Sequence, residues 1–504
     1  MKKQAFNPFL PSMEYVPDGE PKLFGDRVYL YGSHDSFNAR IFCTKDYVCY
    51  SAPKDDLSNW RYEGVIFHKK DDPKNRLGLR LLFAPDVVQG KDGLFYLYYA
   101  FDFMGIMGVA VSETPSGPFR FLGHVHHRDG KIWGRRKGDS FPFDPGVLVD
   151  DDGEVYLYSG FYTEVPPAAT GFVKLRNDGG VVLKLESDMV TIKEEEKLLF
   201  PKKGKGSFMG HEFFEASSIR KYDGKYYFVY SSVHNHELCY AVSTRPDSGF
   251  VFGGTLVDIG DVYLDGHSDE KDAVNYLGNT HGGMLKVNDD WYIFYHRQTN
   301  RHSYSRQACA EKLTVNKDGS IRQSEVTSCG LNGKALNGSG RYEARIACNL
   351  WSKNGCGRYD CKNPRKVFKE HPYFTQRKLP LQTTLMSSLG LSEKELKKIT
   401  ERRIQYIANM KDGSVAGFKY FDFMDTVCIR VEITGSAKGT FFVSEVKDFS
   451  VHNADIMIDI DSPDMIQTYG AHLRIEDGVK PLYFKFEGEG YIDFISFSID
   501  KSGR

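Results

Sequence analysis

Several things are missing from this chain of 504 residues, and each absence excludes a class of protein. No run approaches the roughly 18 apolar residues that a membrane-spanning helix requires. Neither sign of charge dominates, since 66 Lys and Arg stand against 67 Asp and Glu. A basic field able to hold nucleic acid or an anionic membrane is therefore absent, and neither is expected as a partner. The opening MKKQAFNPFLPSMEYVPDG has two lysines but no apolar segment of the kind found in secretory leaders, so a cytoplasmic location is expected. Cysteine is sparse and odd in number, at positions 43, 49, 239, 309, 329, 348, 356, 361 and 428. Cys356 and Cys361 have no second pair at zinc spacing, so free thiols are expected. Glycine-rich phosphate loops, HExxH and EF-hand loops do not occur, and no cofactor is required by any motif.

Aromatic residues and glycine, by contrast, are plentiful: 36 Phe, 30 Tyr and 49 Gly. Aromatics favour pleated strands and glycine favours tight turns, so the composition leans to an all-β fold. One pattern recurs five times, a Gly or Asp turn followed by an aromatic strand: GDRVYLYGS, KDGLFYLYYA, DDGEVYLYSG, YDGKYYFVYSS and NDDWYIFYHR. With Tyr29, Phe95, Val155, Tyr226 and Trp291 as markers, the steps are 66, 60, 71 and 65 residues. That period fits one four-stranded sheet with its loops and exceeds the usual solenoid repeat, which predicts a five-bladed β-propeller over residues 1–325.

Each marker is preceded, nine to eleven residues earlier, by a polar residue that opens an apolar strand: Glu20, Asp86, Asp144, Glu215 and His281. The first strand of a propeller blade lines the axis, so these five are expected to converge at one end of the channel. Acids confined together must split their pKa values, which yields one proton donor and one acceptor near neutral pH. Glycoside hydrolysis needs such a pair, and carboxyls on blades across the axis favour the wide spacing of the inverting mechanism. Aromatic rings near the same loops, at Phe83, Phe101, Phe103, Phe143, Phe161, Tyr162 and Phe213, suit stacking on sugar faces. Asp86, Arg297, His34, Phe143 and Phe213 are the candidate substrate contacts. The insert 124–142 is rich in basic groups and is either a wall of the cleft or a solvated loop.

The segments NPFLPSMEYVPDGEPKLFGDRVYLYGSHD, FAPDVV, FDPGVLVDDDGEVYLYSG, HEFFEASSIRKYDGKYYFVYSS and THGGMLKVNDDWYIFYHRQTNRHSYSRQACAEKL resemble glycoside hydrolase family 43 over about residues 5–320. The resemblance implies an inverting hydrolase of β-xylosidase or α-L-arabinofuranosidase type, acting on short xylan- or arabinan-derived oligosaccharides. It implies Glu215 as general acid, Asp144 as the residue that orients and tunes it, Arg297 as a substrate contact, and His281 as holder of water or of a calcium ion in the channel. The family's base is an Asp before Pro; here Glu20 precedes Pro21 and holds the phase of the repeat, so Glu20 is the expected base with Asp18 in reserve. A galactan-type glycosidase and a non-catalytic sugar-binding propeller are the alternatives.

Beyond residue 325 the repeat ends. Residues 326–504 carry short alternating strands with Gly turns, which predict a β-sandwich of jelly-roll type. This part resembles family 6 carbohydrate-binding modules, which would place a sugar platform at Tyr420 or Tyr469. The stretch 391–407 has helical spacing. Oligomeric state is left open.

Overall fold

The computed structural model describes residues 4–264, 266, 269–360, 362–377 and 404–501. Most of the predicted helix at 391–407 lies outside these residues; its last four, 404–407, are extended and belong to the strand Ile404–Met410.

Five antiparallel four-stranded sheets occupy residues 20–67, 82–124, 146–201, 213–258 and 284–322, each with its strands in chain order. These are the blades of the expected propeller. The aromatic marker strands are the second strand of each blade, and the strand before each one is the innermost. The inner strands Glu20–Phe24, Leu82–Gln89, Gly146–Val149, Phe213–Tyr222 and Met284–Val287 touch one another in cyclic order, so the ring closes on itself.

The marker strands are aromatic because they fill the seams between blades. Tyr29, Tyr31, Leu97 and Tyr99 pack together between blades 1 and 2. Tyr98, Val109, Leu157 and Leu183 fill the next seam, and Tyr158, Phe200, Phe228 and Tyr230 the one after. Blades 4 and 5 share Val229, Tyr240, Ile293 and Tyr295, and blades 5 and 1 share Val28, Leu30, Leu285 and Phe294. Alternation along each strand sends successive side chains into the two seams that flank a blade, which is why both faces of these strands are apolar. Asn7 fastens the last seam: its side chain bonds both the N–H and the carbonyl of Ala310, at 3.0 and 2.9 Å.

The remaining strands form one nine-stranded hydrogen-bonded network. Three long strands, Thr426–Ser444, Ala454–His472 and Gly478–Lys501, carry most of it. The same face of these strands supplies Ile429, Val431, Phe441, Ile456, Phe484 and Phe494 to a single core, so the network folds over on itself as a sandwich does. Tyr420 and Tyr469, expected as sugar platforms, have their hydroxyls engaged within the protein, on Glu325 Oε2 and on the Asp459 carbonyl.

This second domain is bonded to the propeller by charged and polar groups. Lys419 is buried and reaches Asp261 and Glu325, at 3.0 and 2.7 Å. The Arg297 guanidinium donates to the carbonyls of Ala347 (2.9 Å) and Arg345 (2.7 Å) and lies 3.8 Å over the Phe374 ring. Arg297 therefore does not face the propeller mouth, contrary to expectation. Neighbours on a strand point to opposite faces, and it is His296, one residue earlier, that turns toward the axis. Eight cysteines are free thiols, six of them buried; Cys361 lies outside the described residues.

Replacing Arg297 with Leu leaves two buried carbonyls without donors, which costs about 1–3 kcal/mol for each group left unpaired. The expected result is a lowered midpoint in thermal or urea unfolding, with KM for small glycosides unchanged within about twofold. A large rise in KM at unchanged stability would restore Arg297 to the substrate site.

Candidate active site

At the propeller mouth a cavity of about 200 Å³ is lined by Asp18, Asp144, Glu215, His281, Arg306 and a group of phenylalanines. The inner strands of blades 3, 4 and 5 bring Asp144, Glu215 and His281 together, as their positions in the repeat predict. Blade 1 contributes Asp18.

Glu20 lies deeper. Two residues along an extended strand is about 6.6–6.8 Å, and that step takes Glu20 out of the cavity and into the channel below. There its carboxylate is buried, paired with Arg220 and accepting from Ser218 Oγ at 2.9 Å. Asp86 is at the same depth, fully buried, with Lys22 Nζ at 2.7 Å and the Val147 N–H at 2.8 Å. Neither lines the cavity, so Glu20 is not in position as the base nor Asp86 as a substrate contact. This lower layer explains the paired glycines of THGG. A Cβ on Gly283 would stand 2.5 Å from Glu20 Oε2, and one on Gly282 would stand 1.9 Å from the Phe294 carbonyl oxygen.

The upper layer is held by unusual backbone. Asp18, Asp144 and Ala216 have φ of +56°, +43° and +71°, a region that costs non-glycine residues of the order of 1 kcal/mol or more and collects at functional sites. Each is fixed by a specific bond. His296 donates Nε2–H to the Asn279 carbonyl at 2.8 Å, which leaves Nδ1 free to accept the Asp18 N–H at 3.2 Å. Burial and the nearby Arg306 push this imidazole down to about 3, so it stays neutral. The Ala216 N–H donates to Asp144 Oδ2 at 3.2 Å and thereby ties the residue after Glu215 to the neighbouring blade.

The charges divide the carboxyls into two kinds. Burial works to raise the Asp18 carboxyl, but Arg306, whose Nη1 donates to Oδ1 at 2.8 Å, outweighs it with help from His281 and holds Asp18 below the usual carboxylate range. Asp35 grips the far side of the same guanidinium, at 2.8 Å from Nε. Glu215 has no such partner. Burial first, then the charge of Asp144, push it up to about 8. Asp144 is itself raised, chiefly by burial, with His281 opposing. Burial would lower His281, yet its hydrogen bond to Asp144 (3.4 Å) and the surrounding acids raise it to about 9, which makes it a cation at neutral pH. One cavity thus holds an ionised carboxylate on blade 1 and a protonated carboxyl on blade 4.

One wall is apolar. Phe83, Phe103, Phe143, Phe161 and Phe214 pack ring on ring, with Phe103 and Phe143 stacked at 6.0 Å. Phe143 is in the wall as expected. Phe213 is not: alternation buries it among Phe200, Phe228 and Tyr230, and Phe214 takes its place. Phe101 is core and Tyr162 lies outside the cavity. His34 bonds the Asp46 carbonyl (2.9 Å) and faces Glu14, away from the cavity. The opposite side is polar, with Asn235, Asn279, Ser303 and Asp360, the last contributed by the second domain. Asn235 lines the cavity, and its Oδ1 is buried without a hydrogen-bond partner among the described residues.

The insert 124–142 does not line the cavity. Its Trp133 is buried and donates to Glu196, and Arg128 and Arg136 pair with Glu186 and Asp129. Arg135 donates to the carbonyls of Met104 and Gly105, so the insert braces the loop that presents Phe103. Arg306 and His296 were missed in the sequence because nothing in the local pattern separates them from other polar strand residues; strand alternation combined with the ring order is what singles them out.

A calcium ion bound through His281 is a poor match to these residues. Calcium takes six to eight oxygen ligands, whereas His281 offers ring nitrogens, one of them 3.4 Å from Asp144. The channel acids below, Glu20 and Asp86, are already balanced by Arg220 and Lys22.

A model of glycosyl hydrolases family 43 matches residues 7–321. A xylosidase/arabinosidase of Thermoclostridium stercorarium is 43% identical over 504 residues, 99% of each chain. A xylosidase/arabinosidase of Bacteroides ovatus is 30% identical over 317 residues, 57% of this chain and 87% of that one. Among solved structures, a β-xylosidase/α-arabinofuranosidase from a compost microbial metagenome, bound to xylotriose in a calcium-free form, is 26% identical with a TM-score of 0.50, over 64% of this chain and 98% of that one. Fold, carboxyl pair and relatives define a hydrolase of glycosidic bonds. The chain belongs to glycosyl hydrolases family 43.

Because Asp144 raises Glu215 by its charge, Asp144→Asn is expected to move the alkaline limb of kcat/KM from about pH 8 to lower pH. A pH–rate profile of the variant measures this. An unmoved limb would show that Glu215 is not the group being titrated.

Proposed function

We propose that this enzyme is an inverting exo-acting pentosidase that releases a terminal xylose or arabinose from short xylan- or arabinan-derived oligosaccharides. The observation that carries the reading is the pair of unlike carboxyls in a single small cavity, Asp18 held ionised by Arg306 and Glu215 held protonated by burial and Asp144. The full-length relative named xylosidase/arabinosidase supports the sugar class.

In this mechanism Glu215 is the general acid. It gives its proton to the glycosidic oxygen as the bond to the anomeric carbon breaks, and the departing sugar leaves as an alcohol. Asp18 is the general base: it takes a proton from a water that attacks the anomeric carbon from the opposite face, so the configuration inverts. The two residues come from non-adjacent blades, which supports a spacing wide enough for that water. Asp144 keeps Glu215 protonated between turnovers, and His281 balances Asp144. The cavity is smaller than the roughly 300–1,000 Å³ typical of pockets that engulf larger ligands, which favours one sugar ring at a time. The phenylalanine wall suits the apolar face of that ring, and Asn235, Asn279 and Ser303 in the lining carry polar groups suited to its hydroxyls.

Nitrophenyl β-xyloside and α-arabinofuranoside are the direct substrates to assay. Asp18→Asn is expected to lose about 10²–10⁴ in kcat on both, as is usual when a positioned acid or base is removed. Glu215→Gln is expected to lose as much on unactivated xylobiose but less on nitrophenyl glycosides, whose leaving group needs little protonation. Glu20→Gln should lower stability with a far smaller loss of rate; if it abolished turnover while Asp18→Asn did not, the assignment of the base would be reversed. Proton NMR of the first-formed sugar should show the inverted anomer.

Chelation bears on the channel cation. Dialysis against EDTA followed by added calcium is expected to leave kcat/KM within about twofold, since an imidazole is a poor partner for an ion that takes oxygen ligands. Loss of activity on chelation, restored by calcium, would overturn that expectation.

A further inference from the structure

Beside the cleft is a second cavity of about 440 Å³, lined by Arg40, His302, Tyr304, Asn363, Arg365 and Lys366. It is built across the domain junction. Arg40 comes from the loop after the second strand of blade 1, His302 and Tyr304 from blade 5, and the others from the second domain. Arg365 fixes the junction by donating to Asn38 Oδ1 (2.7 Å) and to the Ala39 carbonyl (3.2 Å). His302 Nε2 meets the same Asn38 oxygen at 3.2 Å.

The two cavities share a wall. Phe42 and Ser303 line the cleft, while Arg40, His302 and Tyr304, their near neighbours in the chain, line the groove. The Phe42 and Tyr304 rings meet edge to face at 4.7 Å, and the Arg306 guanidinium that holds Asp18 lies 4.7 Å over the other side of Phe42.

The groove's charge is one-sided. Arg40, Arg365 and Lys366 line it and no carboxylate does. None of the three forms an ion pair with another described residue. Burial first, and then the like charges of its neighbours Arg40 and Arg301, work against the charge of Arg365. Elsewhere on the surface Arg61, Arg128, Arg136 and Arg341 are each paired with an acid. Three cations gathered without counter-charge call for an anion, and the planar guanidinium is the group best matched to a carboxylate. Tyr304 adds an aromatic edge of the kind that sugars contact.

We propose that this groove is a subsite for a carboxylate-bearing sugar, a uronic acid branch on the pentose oligosaccharide whose terminal ring occupies the cleft. The proposal rests on the pentosidase reading of the cleft. It makes the second domain part of substrate selection, with Arg365 and Lys366 contributed from outside the propeller.

The test compares kcat/KM on xylo-oligosaccharides of one backbone length, either unbranched or carrying a glucuronosyl branch on the terminal or the penultimate sugar. Wild type is expected to favour at least one branched isomer about fivefold or more in dilute buffer, and that preference should shrink in ~0.5 M salt as the charges are screened. Arg40→Gln with Lys366→Gln should abolish the preference and leave the unbranched substrate within twofold, which also shows that the variant is folded. Equal rates on branched and unbranched substrates in wild type, or a preference that survives the double substitution, would overturn the proposal. Failure of wild type to turn over any nitrophenyl pentoside would instead defeat the reading of the cleft itself.

Discussion

Asp18, Asp144 and Glu215, buried around one small cavity, cannot all be ionised cheaply, and everything at the propeller mouth follows from how that conflict is resolved. Arg306 is given to Asp18 and is anchored from behind by Asp35. Glu215 is given Asp144, a like charge, in place of a counter-ion. The asymmetry is one of placement: the three acids come from three different blades, so each meets a different set of neighbours. His281 keeps the cluster from accumulating more negative charge than the cavity can hold. Without the ring closure that sets five strand ends around one axis, none of these distances would be maintained.

The architecture was largely written in the aromatic repeat, because the seams between blades must be filled and only large side chains at a fixed period fill them. The site was legible in part. Asp144, Glu215 and His281 were found by phase, and the same phase placed Glu20 where Asp18 belongs. The signal that separates them is present in the numbers: Asp18, Asp144 and Glu215 each precede their marker by eleven residues, whereas Glu20 and Asp86 precede theirs by nine. Nine and eleven differ by one strand repeat, which keeps a side chain on the axis while changing its depth. Reading only the direction of a side chain, and not its height, confuses a reacting group with a structural one. The errors at Arg297 and Phe213 are of the other kind, a slip of one residue that reverses the face, with His296 and Phe214 the correct neighbours.

The second domain is more than an appendage. It is bonded to the propeller through Arg297, Lys419 and the paired amides of Gln307 and Gln405, and its segment around Asp360 reaches the cleft. No local sequence pattern could announce this, because the contact joins residues far apart in the chain. The strands of the domain were readable from alternation, while the surface it covers was not.

The layer beneath the cleft has a consequence for traffic. Lys22, Glu20, Asp86 and Arg220 fill the bore with two cations and two anions, all buried. The propeller is thus a well with a sealed floor and not a pipe. On the exo-acting reading proposed above, whatever enters by the mouth leaves by it, and a released sugar lies underneath the chain it was cut from. That chain has to withdraw before the sugar can escape, so successive cuts on one chain require it to let go each time. On that reading, an enzyme of this shape is expected to shorten many chains a little and not to follow a single chain to its end.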